Sequence, residues 1–228
     1  MPPRWPTRFC CDEELAFLGY DGLGAAKDLA KWRAGHLYAA TQELIDAVIA
    51  EGVEGARLID IGAGVGAVHI SLLQAGASSA IDVDASRDYL ATARAEAERH
   101  GLAGRVTYRY GDVVELAAEL PSADIVTLDS VICCYPSLPS LLGAAVRPGP
   151  RVVGLTYPRD VGWMRAYMRL WNLGQIVRNS TARYFIYRHA QVDRLMSAAG
   201  FEAVHLGGTR PWRVIVYRRS LAVARRES

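Results

Sequence analysis

Long apolar runs are missing from this chain. No stretch reaches the roughly 18 apolar residues that a membrane span requires, so no membrane partner is expected. The first residues lack the apolar core of a secretory signal, and a cytoplasmic location is expected. Cysteine is scarce. The four fall in two adjacent pairs, Cys10-Cys11 and Cys133-Cys134, with neither CxxC spacing nor a histidine at zinc-ligand spacing. That argues against a disulfide framework and a zinc site, and free thiols in a reducing compartment are expected. Net charge is also small, at +2, which argues against a nucleic-acid partner. Lysine is nearly absent, Lys27 and Lys31 being the only two, and the surplus of arginine and alanine suits a GC-rich coding sequence better than a partner. What is present is 228 residues, 51% hydrophobic and 22% charged, enough for one globular domain with a sizeable core.

The chain is organised around Leu58-Ile59-Asp60-Ile61-Gly62-Ala63-Gly64-Val65-Gly66-Ala67. An apolar run ends in an acid and breaks into three alternate glycines, and a helical pattern follows from Val68 to Gln74. This predicts strand, tight turn and helix, with main-chain N–H groups open to a ligand. Before it, Asp12 to Leu18 reads as a short helix. Ala25 to Glu51 reads as a long helix or a broken pair, with His36 on its apolar face beside Trp32 and Ala40. After it come strands at Ala80–Asp84, Val106–Tyr110, Asp124–Leu128 and Arg151–Leu155, alternating with helices. Phe201–Leu206 and Arg213–Tyr217 close the sheet as an antiparallel pair. The expected fold is α/β, a Rossmann-like seven-stranded, mostly parallel sheet with an N-terminal helical lid. Residues 1–52 form the expected lid, 53–220 the main domain and 221–228 a solvated tail.

Ligands in such sheets bind at the carboxyl ends of the strands. Asp60, Asp84, Asp112 and Asp129 all stand there. Gly62, Gly64 and Ala67 satisfy the loose dinucleotide pattern, but that signal is weak, and the chain leaves no room for the second domain that dehydrogenases usually carry.

The run Leu58 to Gly66, then Asp84 with Ser86, then Gly111-Asp112, then Asp124 to Asp129, resembles the class I S-adenosylmethionine-dependent methyltransferases over roughly residues 50–220. The resemblance implies S-adenosylmethionine as cofactor, held by Arg33, Asp60, Gly62, Gly64, Gly66, Asp84, Ser86, Asp112, Val113 and Asp129. Gly62, Gly64 and Gly66 would pass under its methionine part. Asp84 would take both ribose hydroxyls, and Asp112 the adenine amino group with the Val113 N–H facing the ring. Asp129 would sit near the methionine ammonium, and Arg33 would meet the carboxylate. Asp82 departs from the family, which often has glycine there.

The position after the fourth strand reads Asp129-Ser130-Val131-Ile132-Cys133-Cys134-Tyr135-Pro136. It lacks the Asn/Asp-Pro-Pro-Tyr pattern of amino methyltransferases, which argues against a DNA-adenine or protein-glutamine substrate. Trp32, Trp163, Tyr167, Trp171, Tyr184 and Tyr187 are candidates to wall a pocket for a flat acceptor, ordinary core packing being the alternative for each. The placement of Glu13, Tyr20 and His36 ahead of the glycine turn, with Ile132 to Pro136, resembles bacterial indole C3-methyltransferases that turn tryptophan-containing cyclodipeptides into pyrroloindolines. That resemblance implies His36 as base, Tyr20 as its hydrogen-bond partner, and Glu13 holding a substrate N–H. Asp124 to Tyr135 is also similar to magnesium-protoporphyrin O-methyltransferases, for which Arg165 or Arg183 would anchor a carboxylate. O- or N-methylation of another small molecule and a non-catalytic cofactor-binding regulator stay open as alternatives, as does a homodimer. No metal is expected.

Overall fold

The structure, a computed structural model, describes residues 21–177 and 183–220. Its order is α1 (Gly22–Arg33), α2 (Ala39–Ala50), β1 (Arg57–Ile61), α3 (Ala67–Gln74), β2 (Ser79–Asp84), α4 (Arg87–Arg99), β3 (Val106–Tyr110), α5 (Val113–Leu116), β4 (Ile125–Asp129), α6 (Leu138–Val146), β5 (Val152–Pro158), α7 (Gly162–Val177), α8 (His189–Ala198), β6 (Phe201–Gly207) and β7 (Trp212–Arg219). The expected helix at Asp12–Leu18 lies outside the described residues.

The seven strands form one sheet in the order β3-β2-β1-β4-β5-β7-β6. β1 to β5 are parallel, and β7 runs antiparallel between β5 and β6. The order reverses between β1 and β4, so a crevice opens at their carboxyl ends. The central strands β4 and β5 are buried nearly throughout and read as mostly apolar runs, whereas β3 at the sheet edge alternates. Leu58 belongs to one core cluster, with Leu44, Ile70 and Leu72, and its neighbour Ile59 to the other, with Leu128 and Leu155. Alternation along β1 thus divides the core between the two faces of the sheet.

The helices start where the sequence offers caps. Asp21 accepts from the Gly24 N–H at 2.9 Å, Ser86 from Tyr89 at 3.3 Å, and Ser137 from Ser140 at 3.4 Å with Pro139 inside the first turn.

Of the two readings of residues 25–51, a long helix or a broken pair, the structure has the pair. α1 stops at Arg33, and Gly35 takes a φ of 77° that few other residues adopt. His36 therefore sits in the connector, exposed, and not on an apolar helix face. α2 packs into the core. A Cβ at Gly154 of β5 would meet Leu44 at 2.8 Å and Val48 at 3.0 Å. A boundary at residue 52 would therefore cut α2 from the sheet that it covers; α1 and its connector lie over the crevice, and α2 reaches it through Thr41.

Candidate functional site

A cavity of about 280 Å³ opens at the carboxyl ends of β1, β2, β3 and β4, where the fold rule puts it. Its floor is the glycine turn. Gly62 (φ 62°) donates to the Val83 carbonyl at 2.7 Å, and a Cβ there would come within 2.5 Å of Val131. Gly64 (φ 58°) donates to Asp84 Oδ2 at 3.2 Å. Both line the cavity with bare main chain. Gly66 (φ 84°) does not line it, and its contribution lies underneath. A Cβ on Gly66 would strike the His69 ring at 2.8 Å. That ring is buried, with Nδ1 at 3.1 Å from Asp60 Oδ2, and Asp60 also accepts from the His69 N–H at 3.2 Å and from Thr127 Oγ1 at 2.7 Å. Asp60 is thus a correction to the expected site. It is fully buried behind the turn and anchors α3 to β1.

Asp84 and Asp112 stand at the ends of β2 and β3 and line the cavity. Asp84 accepts from the Ser86 N–H at 2.8 Å as well as from Gly64. Desolvation pushes its pKa up to about 6, against the pull of those two N–H groups. Ser86 does not line the cavity; it caps α4 and holds Asp84. Asp112 accepts from the Val114 N–H at 2.8 Å and from the Tyr135 hydroxyl at 2.9 and 3.1 Å. Burial raises its pKa, the N–H and the hydroxyl opposing it. Val113 is buried beside it on the cavity wall.

Asp129 closes the far side. Thr41 Oγ1 of α2 donates to its Oδ2 at 2.6 Å, and Thr156 Oγ1 of β5 donates to its Oδ1. Ser130 next to it has a φ of 63°, the positive value that no other non-glycine takes among the described residues. The strain is held by hydrogen bonds from Ser130 N to the Thr156 hydroxyl (2.8 Å) and carbonyl (3.2 Å). Burial raises the Asp129 pKa while the hydroxyls lower it.

The roof comes from α1 and its connector, with Trp32, His36, Leu37 and Tyr38 on the cavity. It is tied down by Tyr89, whose hydroxyl donates to Asp28 at 2.8 Å. Arg33 is a second correction. It turns away to Glu96 on α4, with Nε at 3.1 Å and Nη2 at 2.5 Å, and does not line the cavity. Burial works against the Glu96 charge, but Arg99 and Arg33 outweigh it and hold its pKa at about 2. Glu13 and Tyr20 lie outside the described residues, so only His36 of the expected triad is placed, at the cavity rim. Trp163, Tyr167 and Trp171 are exposed on α7 and line no part of the cavity, and neither do Arg165 and Arg183. Thr41, Thr156 and Tyr89 went unread in the sequence, where a lone hydroxyl carries no signal until its partner is near.

The cavity therefore has main-chain glycines, two part-free carboxylates at successive strand ends, and an apolar roof. That set fits a nucleoside carrying an amino-acid tail. Residues 58–147 match the family described as Methyltransferase domain. Over that stretch the chain is similar to a methyltransferase domain. Its cofactor is S-adenosylmethionine, and its fold is that of the class I enzymes. Among solved structures, magnesium protoporphyrin IX methyltransferase from Synechocystis PCC 6803 with bound S-adenosylhomocysteine is 22% identical. That match covers 82% of this chain and 85% of the other at a TM-score of 0.64. The same protein with bound S-adenosylmethionine gives 21%, 86%, 84% and 0.63. An O-methyltransferase family protein from Burkholderia thailandensis is 18% identical, with 89% of this chain and 64% of that one covered at 0.64. At these identities the likeness is one of fold.

Proposed function

We propose that this methyltransferase acts on a small aromatic molecule, with indole C3 of a tryptophan-containing cyclodipeptide as the acceptor and closure to a pyrroloindoline coupled to transfer. The observation that carries the reading is the two-sided cavity, with glycines and carboxylates on the sheet side and Trp32, Tyr38 and the His36 imidazole on the roof. Bound, S-adenosylmethionine supplies an electrophilic methyl. Asp84 would hold the ribose hydroxyls, Asp112 the adenine amino group, the Gly62–Gly64 backbone the methionine part, and Asp129 its ammonium. Indole C3 is already nucleophilic, so the residues around it need chiefly to align it and exclude water. Ring closure is different, because the amide nitrogen that attacks C2 must lose a proton. His36, exposed at the rim, would accept it, with Tyr20 and Glu13 as the partners proposed from the sequence.

The test is mass spectrometry of the protein with S-adenosylmethionine and tryptophan cyclodipeptides, simple indoles, phenols and a porphyrin. A one-methyl gain on the cyclodipeptide with loss of indole absorbance is expected; a gain only on phenol or porphyrin would discard the indole reading. His36→Ala is expected to lower turnover about a hundredfold, the scale of a lost general base, with cofactor affinity unchanged. Full turnover would remove His36 from the mechanism. A second reading, methylation of a carboxylate or other oxygen, is favoured by Lys31, which lines the cavity and whose ammonium, held by the Tyr38 hydroxyl at 3.0 Å and Asp28 at 3.3 Å, would have to turn from them to meet an acidic acceptor.

Tyr135 is proposed as an orienting group for Asp112. Tyr135→Phe is expected to raise the KM for S-adenosylmethionine about fivefold, near the worth of one hydrogen bond, with kcat within about twofold. An unchanged KM would show that Asp112 needs no such partner.

A further inference from the structure

α7 is amphipathic in an unusual sense, since its apolar side faces out. Met164 and Gln175 are buried and mark its inner face, and Asn172 clamps that side to Tyr184 through two hydrogen bonds of 2.8 and 2.9 Å. At 100° per residue, Leu173, Val177, Leu170, Trp163, Tyr167 and Trp171 fill the next arc of about 160° with no charge between them. They are exposed by 56%, 80%, 70%, 58%, 52% and 38%. Beyond the arc stand Arg165 and Arg169. A solvated helix would carry polar residues there, and an apolar face left uncovered among the described residues is the mark of an interaction surface.

Two features of α7 choose between partners. It contains no aspartate or glutamate. Two copies packed face to face would bring arginines together with no acid on either helix to match them. The arc is also small. Sixteen residues make a cylinder about 24 Å long, and 160° of its surface is about 400 Å², half of the roughly 800 Å² per partner that stable dimers bury. An anionic bilayer asks for neither an acid nor that area. Its headgroups supply the negative charge, and Trp and Tyr favour the boundary between headgroup and acyl chain.

We propose that α7 seats the protein on an anionic lipid surface, with its apolar arc in that boundary and Arg169 among the headgroups. Arg165 keeps its ion pair with Asp160 at 2.6 Å and borders the contact. The helix lies on the bilayer and does not cross it, since no helix among the described residues is long and apolar enough. The segment that clamps α7 also reaches the cavity wall, the Tyr187 hydroxyl donating to the carbonyl of the lining residue Tyr135 at 2.7 Å, so the seat stands beside the site without belonging to it.

The test is co-sedimentation of the full chain with vesicles of phosphatidylcholine alone and of equimolar phosphatidylcholine and phosphatidylglycerol. Binding to the mixed vesicles is expected to be at least about tenfold stronger and to weaken in high salt. Leu170→Glu is expected to abolish it, and Arg169→Gln to weaken it on the anionic vesicles only. Retained affinity for S-adenosylhomocysteine shows that each variant is folded. No binding to anionic vesicles overturns the proposal. So does equal binding by Leu170→Glu, and so does a concentration-dependent dimer in sedimentation velocity that Leu170→Glu dissolves, which would give the face to a second copy.

Discussion

Replacing Asp84 by asparagine is expected to weaken binding of S-adenosylhomocysteine about a hundredfold, close to 3 kcal/mol. The reason is a count of lone pairs. A carboxylate has about four acceptor positions. The Gly64 and Ser86 N–H groups take one on each oxygen and the Ala85 N–H takes a third, which leaves one for a ribose hydroxyl. Asparagine keeps one oxygen. Its amide nitrogen would be set against at least one of those N–H donors, so the change both removes an acceptor from the ligand and breaks a contact that shapes the turn. Charged hydrogen bonds of this kind are worth about 1.5–3 kcal/mol each. The wild type should also show a pH dependence that the variant lacks. With its pKa near 6, Asp84 is ionised at pH 7 and largely protonated at pH 5, so affinity should fall as pH drops across that interval. Calorimetric titration of both proteins at several pH values is the check. A variant affinity within about threefold of wild type, or a wild-type affinity indifferent to that interval, would take the ribose role away from Asp84.

The sheet side of the cavity was legible because its signals are local. Glycines at alternate positions after an apolar run, and acids where strands end, follow from the turn and from strand length. Gly62, Gly64, Asp84 and Asp112 accordingly lie on the cavity as the sequence predicts. Asp60 carries the same local signal and was misplaced, because only the fold shows that α3 covers it with His69. Arg33 failed for a related reason. Its partner Glu96 is 63 residues away, and nothing near Arg33 announces it. Thr41 and Asp129 meet across 88 residues. The aromatic spacing of α7 does mark one face of a helix, yet periodicity gives the face without saying whether core or solvent lies opposite. Its direction is fixed by Met164, Gln175 and Asn172 on the other side.

Asp82 makes the second large prediction, and it concerns stability. It lies between Asp60 and Tyr108 in a row of polar side chains that crosses the sheet. It is fully buried, and neither oxygen has a hydrogen-bond partner. Desolvation first, and the charges of Asp84 and Asp60 after it, raise its pKa well above the ordinary carboxylate value. His69 above the row and Tyr108 beside it bring no compensating hydrogen bond to it. The unfolded carboxyl titrates near about 3.9. Above that pH the unfolded chain gives up a proton that the folded chain keeps, so stability falls as pH rises, until the folded group ionises as well. Asp82→Asn cannot titrate. It is expected to match the wild type near pH 4 and to be more stable at pH 7 by about 1–3 kcal/mol, the usual cost of an uncompensated buried polar group. The sign is opposite to that of most buried aspartates, which are paired and lose stability when acidified. Denaturant midpoints of both proteins across that pH range would decide it, and equal slopes would show that Asp82 carries no such penalty. A carboxylate buried at this position is expected to cost the fold stability at neutral pH, while Asp84 two residues on lines the cavity, where a ligand can meet it.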